Sequence, residues 1–96
     1  MKKLEILNLV QSHQQDLQKL GVKSLNLFGS VARDQANHQS DVDILVELDE
    51  SVGFFEFFQI KHYLVDLFQC PVDLGTIDSL KEHLRKKILE EVIHAF

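Results

Sequence analysis

Two aspartates spaced two apart, Asp41 and Asp43, open the apolar run Ile44-Leu45-Val46. Residues i and i+2 of a strand share a face, so both carboxylates point the same way, a few ångströms apart. Like charges that close repel, and burying them without a partner is costly. A cation held between them and a third oxygen ligand resolves the conflict. Asp73, in the short strand-like run Pro71-Val72-Asp73-Leu74, is the best third ligand. Carboxylates on adjacent strands favour a hard divalent ion, and Mg²⁺ commonly binds through a few carboxylates plus substrate phosphates. Upstream, Leu25-Asn26-Leu27-Phe28 ends at Gly29-Ser30, with ten residues between Ser30 and Asp41. A Gly-Ser turn leading from a strand into a helix presents backbone N–H groups and a hydroxyl, which suits phosphate oxygens. The two halves together point to a nucleoside triphosphate bound with metal.

Several elements must position these groups. Ile6, Leu7, Val10, Leu17 and Leu20 recur at helical spacing over residues 4–20, with Gly21 as a C-cap. Val22–Phe28 reads as the first strand, and a short helix follows from Ser30 to about Gln35. Asn37-His38-Gln39-Ser40 is a polar loop. Asp41–Leu48 reads as the second strand, with Val42, Ile44 and Val46 on one face and Asp41, Asp43, Leu45 and Glu47 on the other. The change from acids to Leu45 predicts that only the start of this strand faces the site. Glu47, Asp49 and Glu50 read as a solvated acidic edge, since charge runs stay in water.

Residues 54–68 carry Phe54, Phe55, Phe57, Phe58, Leu64, Leu67 and Phe68 at spacings of three and four, an amphipathic helix. Five phenylalanines in one helix are expected to fill the core; the alternative is that part of the face is exposed and docks a partner. Pro71 ends that helix and starts the last strand, Val72–Leu74. Ser79-Leu80-Lys81-Glu82 has capping-box spacing and opens a final helix with Leu84, Ile88, Leu89, Val92, Ile93 and Phe96 on one side. The expected fold is α+β (mixed α/β): one domain over residues 1–96, a small mixed three-stranded sheet packed with about four helices. Three short strands are too few for a doubly wound dinucleotide fold.

Composition excludes several functions. Fifteen acids against ten bases leave a net charge of −5, whereas nonspecific nucleic-acid binding needs a basic surface. The one basic cluster, Arg85-Lys86-Lys87, reads as a solvated helix face. No apolar run approaches the roughly 20 residues that span a bilayer. Met1-Lys2-Lys3 leads into an amphipathic stretch and not a signal sequence. A single cysteine, Cys70, permits no internal disulfide, which fits a reducing, cytoplasmic setting, and its apolar surroundings argue against a catalytic thiol. The five histidines are scattered, and Glu90 and His94 gain no second histidine to make a zinc site. His38, next to the motif, reads as a surface histidine. There is no P-loop run and no base to make Ser30 a nucleophile.

The pattern Gly29-Ser30, ten residues, Asp41-x-Asp43 resembles the signature of the minimal nucleotidyltransferases (MNT proteins) of the DNA polymerase beta-like superfamily. Gly29-Ser30-Val31-Ala32-Arg33, Ser40-Asp41-Val42-Asp43-Ile44-Leu45-Val46, Val72-Asp73-Leu74 and Leu84-Arg85 with Ile88 extend the likeness over nearly the whole chain. Asp34 stands where many relatives have Gly, and Gly75 where an apolar residue is more usual. The resemblance implies the nucleotidyltransferase fold. It implies Mg²⁺, two ions, held by Asp41, Asp43 and Asp73, which are also the catalytic residues. ATP phosphates would meet Gly29, Ser30 and Arg33. It further implies that the chain pairs with a HEPN-domain toxin and, as its antitoxin, transfers AMP to a toxin tyrosine. A chain this short has no separate substrate domain, so the acceptor is expected in trans. Two other readings stay open: a non-catalytic module that masks its partner, and a kinase-like phosphoryl transfer, for which no acceptor-side motif exists. Self-association is compatible with the sequence and not specified by it.

Overall fold

The structure is a computed structural model that describes residues 2–32 and 41–96. The chain runs through α1 (Lys3–Ser12), α2 (Gln14–Lys19), β1 (Val22–Phe28), α3 (Gly29–Ala32), β2 (Val42–Leu48), α4 (Phe54–Phe68), β3 (Val72–Thr76), a 3₁₀ turn (Ile77–Ser79), α5 (Glu82–Glu91) and β4 (Ile93–His94). The strands form one mixed sheet in the order β3-β2-β1-β4. β2 is antiparallel to β1 and parallel to β3, and β4 is antiparallel to β1. A parallel pair needs a crossover connection, and α4 supplies it.

Alternation along the strands divides the sheet into two faces. Leu25 and Leu27 pair with Val46 and Ile44, and Ile44 and Val42 pair with Leu74 and Val72. These seven are buried, as are Ile6, Val10 and Leu17 from α1 and α2 and Ile60, Leu64 and Phe68 from α4. They join in one hydrophobic core. The opposite face carries Asn26, Phe28, Asp43, Leu45, Asp73 and Gly75, the residues between.

Several expectations are corrected. Among the described residues the sheet has four strands, not three. Val92 leaves helical geometry (φ −75°, ψ 154°), so Ile93 and His94 pair with Leu27 and Asn26 instead of extending the last helix. Beyond them, the Ala95 N–H donates to the Leu25 carbonyl (2.9 Å) and the Leu25 N–H to the Phe96 carbonyl (3.1 Å). The added strand covers what would otherwise be an open edge of β1, with its row of unpaired backbone groups. The first helix is broken at His13 (φ −110°, ψ 17°), whose ring Nδ1 donates to the Leu9 carbonyl at 2.8 Å. Ser79 does not cap α5. It ends the 3₁₀ turn, where its N–H donates to Thr76 Oγ1 (3.2 Å) and its hydroxyl to the Thr76 carbonyl (2.8 Å), and α5 starts after Lys81.

The phenylalanines of α4 do not all fill the core. Phe68 is buried and Phe57 half-buried, but Phe54, Phe55 and Phe58 are 82%, 71% and 39% exposed. No residue of α5 is buried, and Leu84 and Leu89 are exposed. No helix among the described residues is long and apolar enough to cross a membrane.

Ile44 sits at the centre of this packing, fully buried on the middle of β2. Ile44→Ala should lower unfolding stability by about 2–5 kcal/mol, the usual range for emptying such a site. Urea unfolding measures it, and a loss below about 1 kcal/mol would contradict the central position.

Candidate functional site

The site is assembled where three strand ends meet. β1 ends at Phe28, and because β2 is antiparallel to it, the start of β2 lies alongside: Phe28 pairs with Asp43. β3 is parallel to β2, so its start lies there too, and Asp43 pairs with Asp73. Paired residues on neighbouring strands, roughly 4.8 Å apart, project to the same face. Two carboxylates thirty residues apart in sequence are thereby brought side by side. Asp43 is half-buried, and Asp73 and Asp41 are exposed. Asp41 immediately precedes β2, and the next residue anchors it, with the Val42 N–H donating to the Pro71 carbonyl at 3.0 Å. As expected, only the start of β2 opens to the site, since Leu45 is 2% exposed.

Gly29 turns the chain out of β1 into α3 with φ +73°, a conformation that side chains disfavour. Its second constraint is spatial. A β-carbon there would collide with Asp43 Oδ2 and lie 3.1 Å from Asp43 Cγ and 3.3 Å from Asp43 Cβ. Gly29 backbone and Asp43 carboxylate therefore share one small space, which joins the two halves of the sequence motif. Gly75, paired with Leu45, is less constrained: a β-carbon would stand 3.4 Å from Leu45 Cδ2, so an apolar residue there would press on Leu45.

Of the expected site residues, Gly29, Asp41, Asp43 and Asp73 come to one end of the sheet. The Ser30 side chain and Arg33 lie outside the described residues, as do Asp34, His38 and the 37–40 loop. Among the described residues, no three histidine, cysteine, aspartate or glutamate side chains stand close enough together to hold a metal ion. The donor chemistry nevertheless fits a hard cation: oxygen ligands only, carried by or next to strands, on an open edge of the sheet. Asp43 and Asp73 are register partners across β2 and β3, and Asp41 immediately precedes β2.

One polar tie on this face escaped the sequence. Asn26 is 5% exposed; its Nδ2 donates to the Leu45 carbonyl (3.3 Å), and its Oδ1 pairs with His94 Nδ1 (3.0 Å), which must then carry the proton. The pair fastens β4 and β2 to β1 behind the carboxylates. An asparagine inside an apolar strand was the visible signal; its partner strand was not visible.

Cys70 follows the expectation. Burial pushes its thiol pKa up, and the nearby Asp41 charge pushes the same way. A raised folded-state pKa favours folding at pH below the ordinary thiol range, and that advantage is lost as pH rises through the folded value. Iodoacetamide should therefore label Cys70 more slowly in the folded protein than in urea at pH 8 to 9. Equal rates would show an exposed, ordinary thiol. For Gly29, substitution by alanine should destabilise the protein by about 1–3 kcal/mol, from positive φ and the collision combined. Adding Asp43→Ala should recover part of that loss but not all, because the backbone strain stays; a thermal-melt double-mutant cycle with no coupling would contradict the contact.

Comparison with known proteins bears on the family of the chain. The nucleotidyltransferase domain family matches residues 9–94. The chain is 36% identical over 91 residues to the protein adenylyltransferase MntA of Thermococcus cleftensis, covering 94% of this chain and 92% of that one. It is similar in structure to a provisionally assigned minimal nucleotidyltransferase, with a TM-score of 0.85, 28% identity and coverage of 97% and 95% of the two chains. The fold also recurs, with a TM-score of 0.65, 17% identity and coverage of 94% and 71%, in a complex of a tri-AMPylated Shewanella oneidensis HEPN toxin with its MNT antitoxin. With the match running through all four strands, and with a relative this similar end to end, the chain belongs to the nucleotidyltransferase domain family.

Proposed function

We propose that this chain transfers AMP from ATP to a hydroxyl, a tyrosine, of a HEPN-domain partner, and that it thereby acts as the antitoxin of that partner. The observation that carries the reading is the Asp43–Asp73 pairing across β2 and β3 beside Gly29. Its relatives' names support the choice of AMP as the group moved, and the HEPN–MNT complex supports the choice of partner.

Asp41 and Asp43 would hold Mg²⁺ against the triphosphate, and Asp73 would complete a second metal position. The bound ions would supply charge neutralisation on the phosphates and a more acidic acceptor hydroxyl. The chain's own contribution is placement. The Gly29 backbone lies against the Asp43 carboxylate, so a phosphate drawn to that turn is also next to the carboxylates, and Ser30 and Arg33 follow in sequence to contact it. Asp73, more exposed than Asp43, stands on the side open to an incoming acceptor. The hydroxyl oxygen attacks the α-phosphorus, the bond from that phosphorus to the bridging oxygen breaks, and pyrophosphate leaves. The hydroxyl proton passes to the Asp73 carboxylate and on to water. Positioning and electrostatics account for the acceleration. ATP as donor and an unactivated, reduced cysteine suit a cytoplasmic setting.

The test is label transfer. The protein, Mg²⁺ and the HEPN-domain protein of the same source are incubated with ATP labelled at the α- or the γ-phosphate. Label on the HEPN protein from the α-phosphate alone is expected, abolished by EDTA and by Asp43→Asn. Label from the γ-phosphate would replace the reading with a kinase. A HEPN protein neutralised without label in either tube would make the chain a masking module.

A further inference from the structure

α4 has two apolar faces, and the core uses one. Phe57, Ile60, Leu64 and Phe68, at spacings of three and four, turn inward. Phe54, Phe55 and Phe58 form a second face at the helix start, 82%, 71% and 39% exposed. Their arrangement is ordered. The Phe54 and Phe58 rings meet edge to face at 4.9 Å, and Phe58 meets Phe57 likewise at 5.8 Å, which connects the exposed face to the packed one. A contiguous aromatic patch held in place before binding is the usual character of an interface centre.

The border of the patch says what covers it. Asp49, Glu50 and Glu56 are exposed around the start of α4. Glu56 is fixed there by accepting from the Gly53 N–H at 3.2 Å, and Asp49 by accepting from the Ser51 N–H at 3.1 Å. Lys23 lies near enough to help hold the Asp49 pKa below its usual value, after the Ser51 hydrogen bonds, yet the border keeps a net negative charge. Lys61, the one lysine or arginine of α4, is half-buried further along the helix. A second copy docked on this patch would set acids against acids, and a nucleic acid would meet the same repulsion. A basic-bordered protein surface would be complementary.

The geometry points to the Phe54–Phe55–Phe58 face of α4 as the docking surface for the acceptor protein, received by an apolar strip of that protein bordered with lysine or arginine. The identity of that protein rests on the function proposed above. β2 ends at Leu48, about 17 Å of strand beyond Asp43, and the connection 49–53 leads from that end into α4 and the patch. The acceptor is held at one end of the sheet and presents its hydroxyl at the other. Phe54 and Phe55 are positioning residues, and they touch neither ATP nor the reacting atoms.

The test uses the full chain and the purified HEPN-domain protein of the same source. Three variants are compared with wild type: Phe54→Ser with Phe55→Ser, Glu50→Lys, and Asp43→Asn. Calorimetry gives binding, label transfer gives kcat and the acceptor KM, and sedimentation gives self-association. The double serine variant should weaken binding and raise the acceptor KM by roughly tenfold or more, as loss of aromatic anchors does, with kcat and melting temperature unchanged. Glu50→Lys should weaken binding less, and added salt should reduce the difference between it and wild type. Asp43→Asn should bind normally and transfer nothing. Wild-type binding by the double variant, or a HEPN protein that does not bind wild type, would overturn the docking surface; so would a wild-type dimer that the double variant dissolves. Binding lost in the double variant while wild type labels nothing would leave the docking surface standing and remove the AMP-transfer reading.

Discussion

The parallel register between β2 and β3 is the constraint on which the rest depends. It pairs Val42 with Val72 and Ile44 with Leu74 on the core side, and by the same alternation sets Asp43 opposite Asp73 on the other. The two outcomes cannot be separated. A slip of β3 by one residue would turn Val72 and Leu74 away from the core and Asp73 into it, where an unpartnered carboxylate is very costly. The hydrophobic core therefore acts as the template for the carboxylate pair. Burial of a few aliphatic side chains determines where two charges stand, with no specific interaction between those charges needed to set the register.

The crossover makes this register possible and leaves its mark on the surface. α4 must return the chain along the sheet, and at fifteen residues it is the longest helix among the described residues. Its core-facing residues begin at Phe57, and the three before it are exposed. The exposed phenylalanines thus sit at the start of the crossover, where the core does not use their side chains. Exposing them brings a solubility cost that folding does not offset. The docking proposed above would offset it.

Gly29 shows the opposite relation, a residue whose absence of a side chain is the function. Positive φ ends β1 and starts α3, and the empty position beside Cα admits the Asp43 carboxylate. Around it, the scaffold is fastened from the far side. β4 closes the edge of β1, and Asn26, bonded to Leu45 and His94, links three strands at a buried polar point. A buried amide with both ends satisfied adds rigidity, where an unsatisfied one would destabilise. The strands that carry the site are held from both edges, by β4 and by the β2–β3 pairing, while the end that carries Asp41 and Asp73 stays exposed.

Much of this was legible in the chain. Period-two alternation at 41–46 specified which residues of β2 face the core, because a strand has only two sides. Gly29, Asp41 and Asp43 could be recognised because a local motif needs only local geometry. Asp73 could be nominated by residue type, but its pairing with Asp43 was decided by a crossover that sums many weak core contacts. Three features were set by tertiary structure alone. Ile93 and His94 carry a pattern that suits a helix as well as a strand, and the open edge of β1 selected the strand. Phe54, Phe55 and Phe58 match the helical spacing of core residues, and only their exposure in the assembled fold shows that no core reaches them. Asn26 gave its polarity in the sequence but not its purpose, since its partner sits sixty-eight residues away. Local periodicity determines which side a residue faces; what lies on that side is a property of the assembled fold.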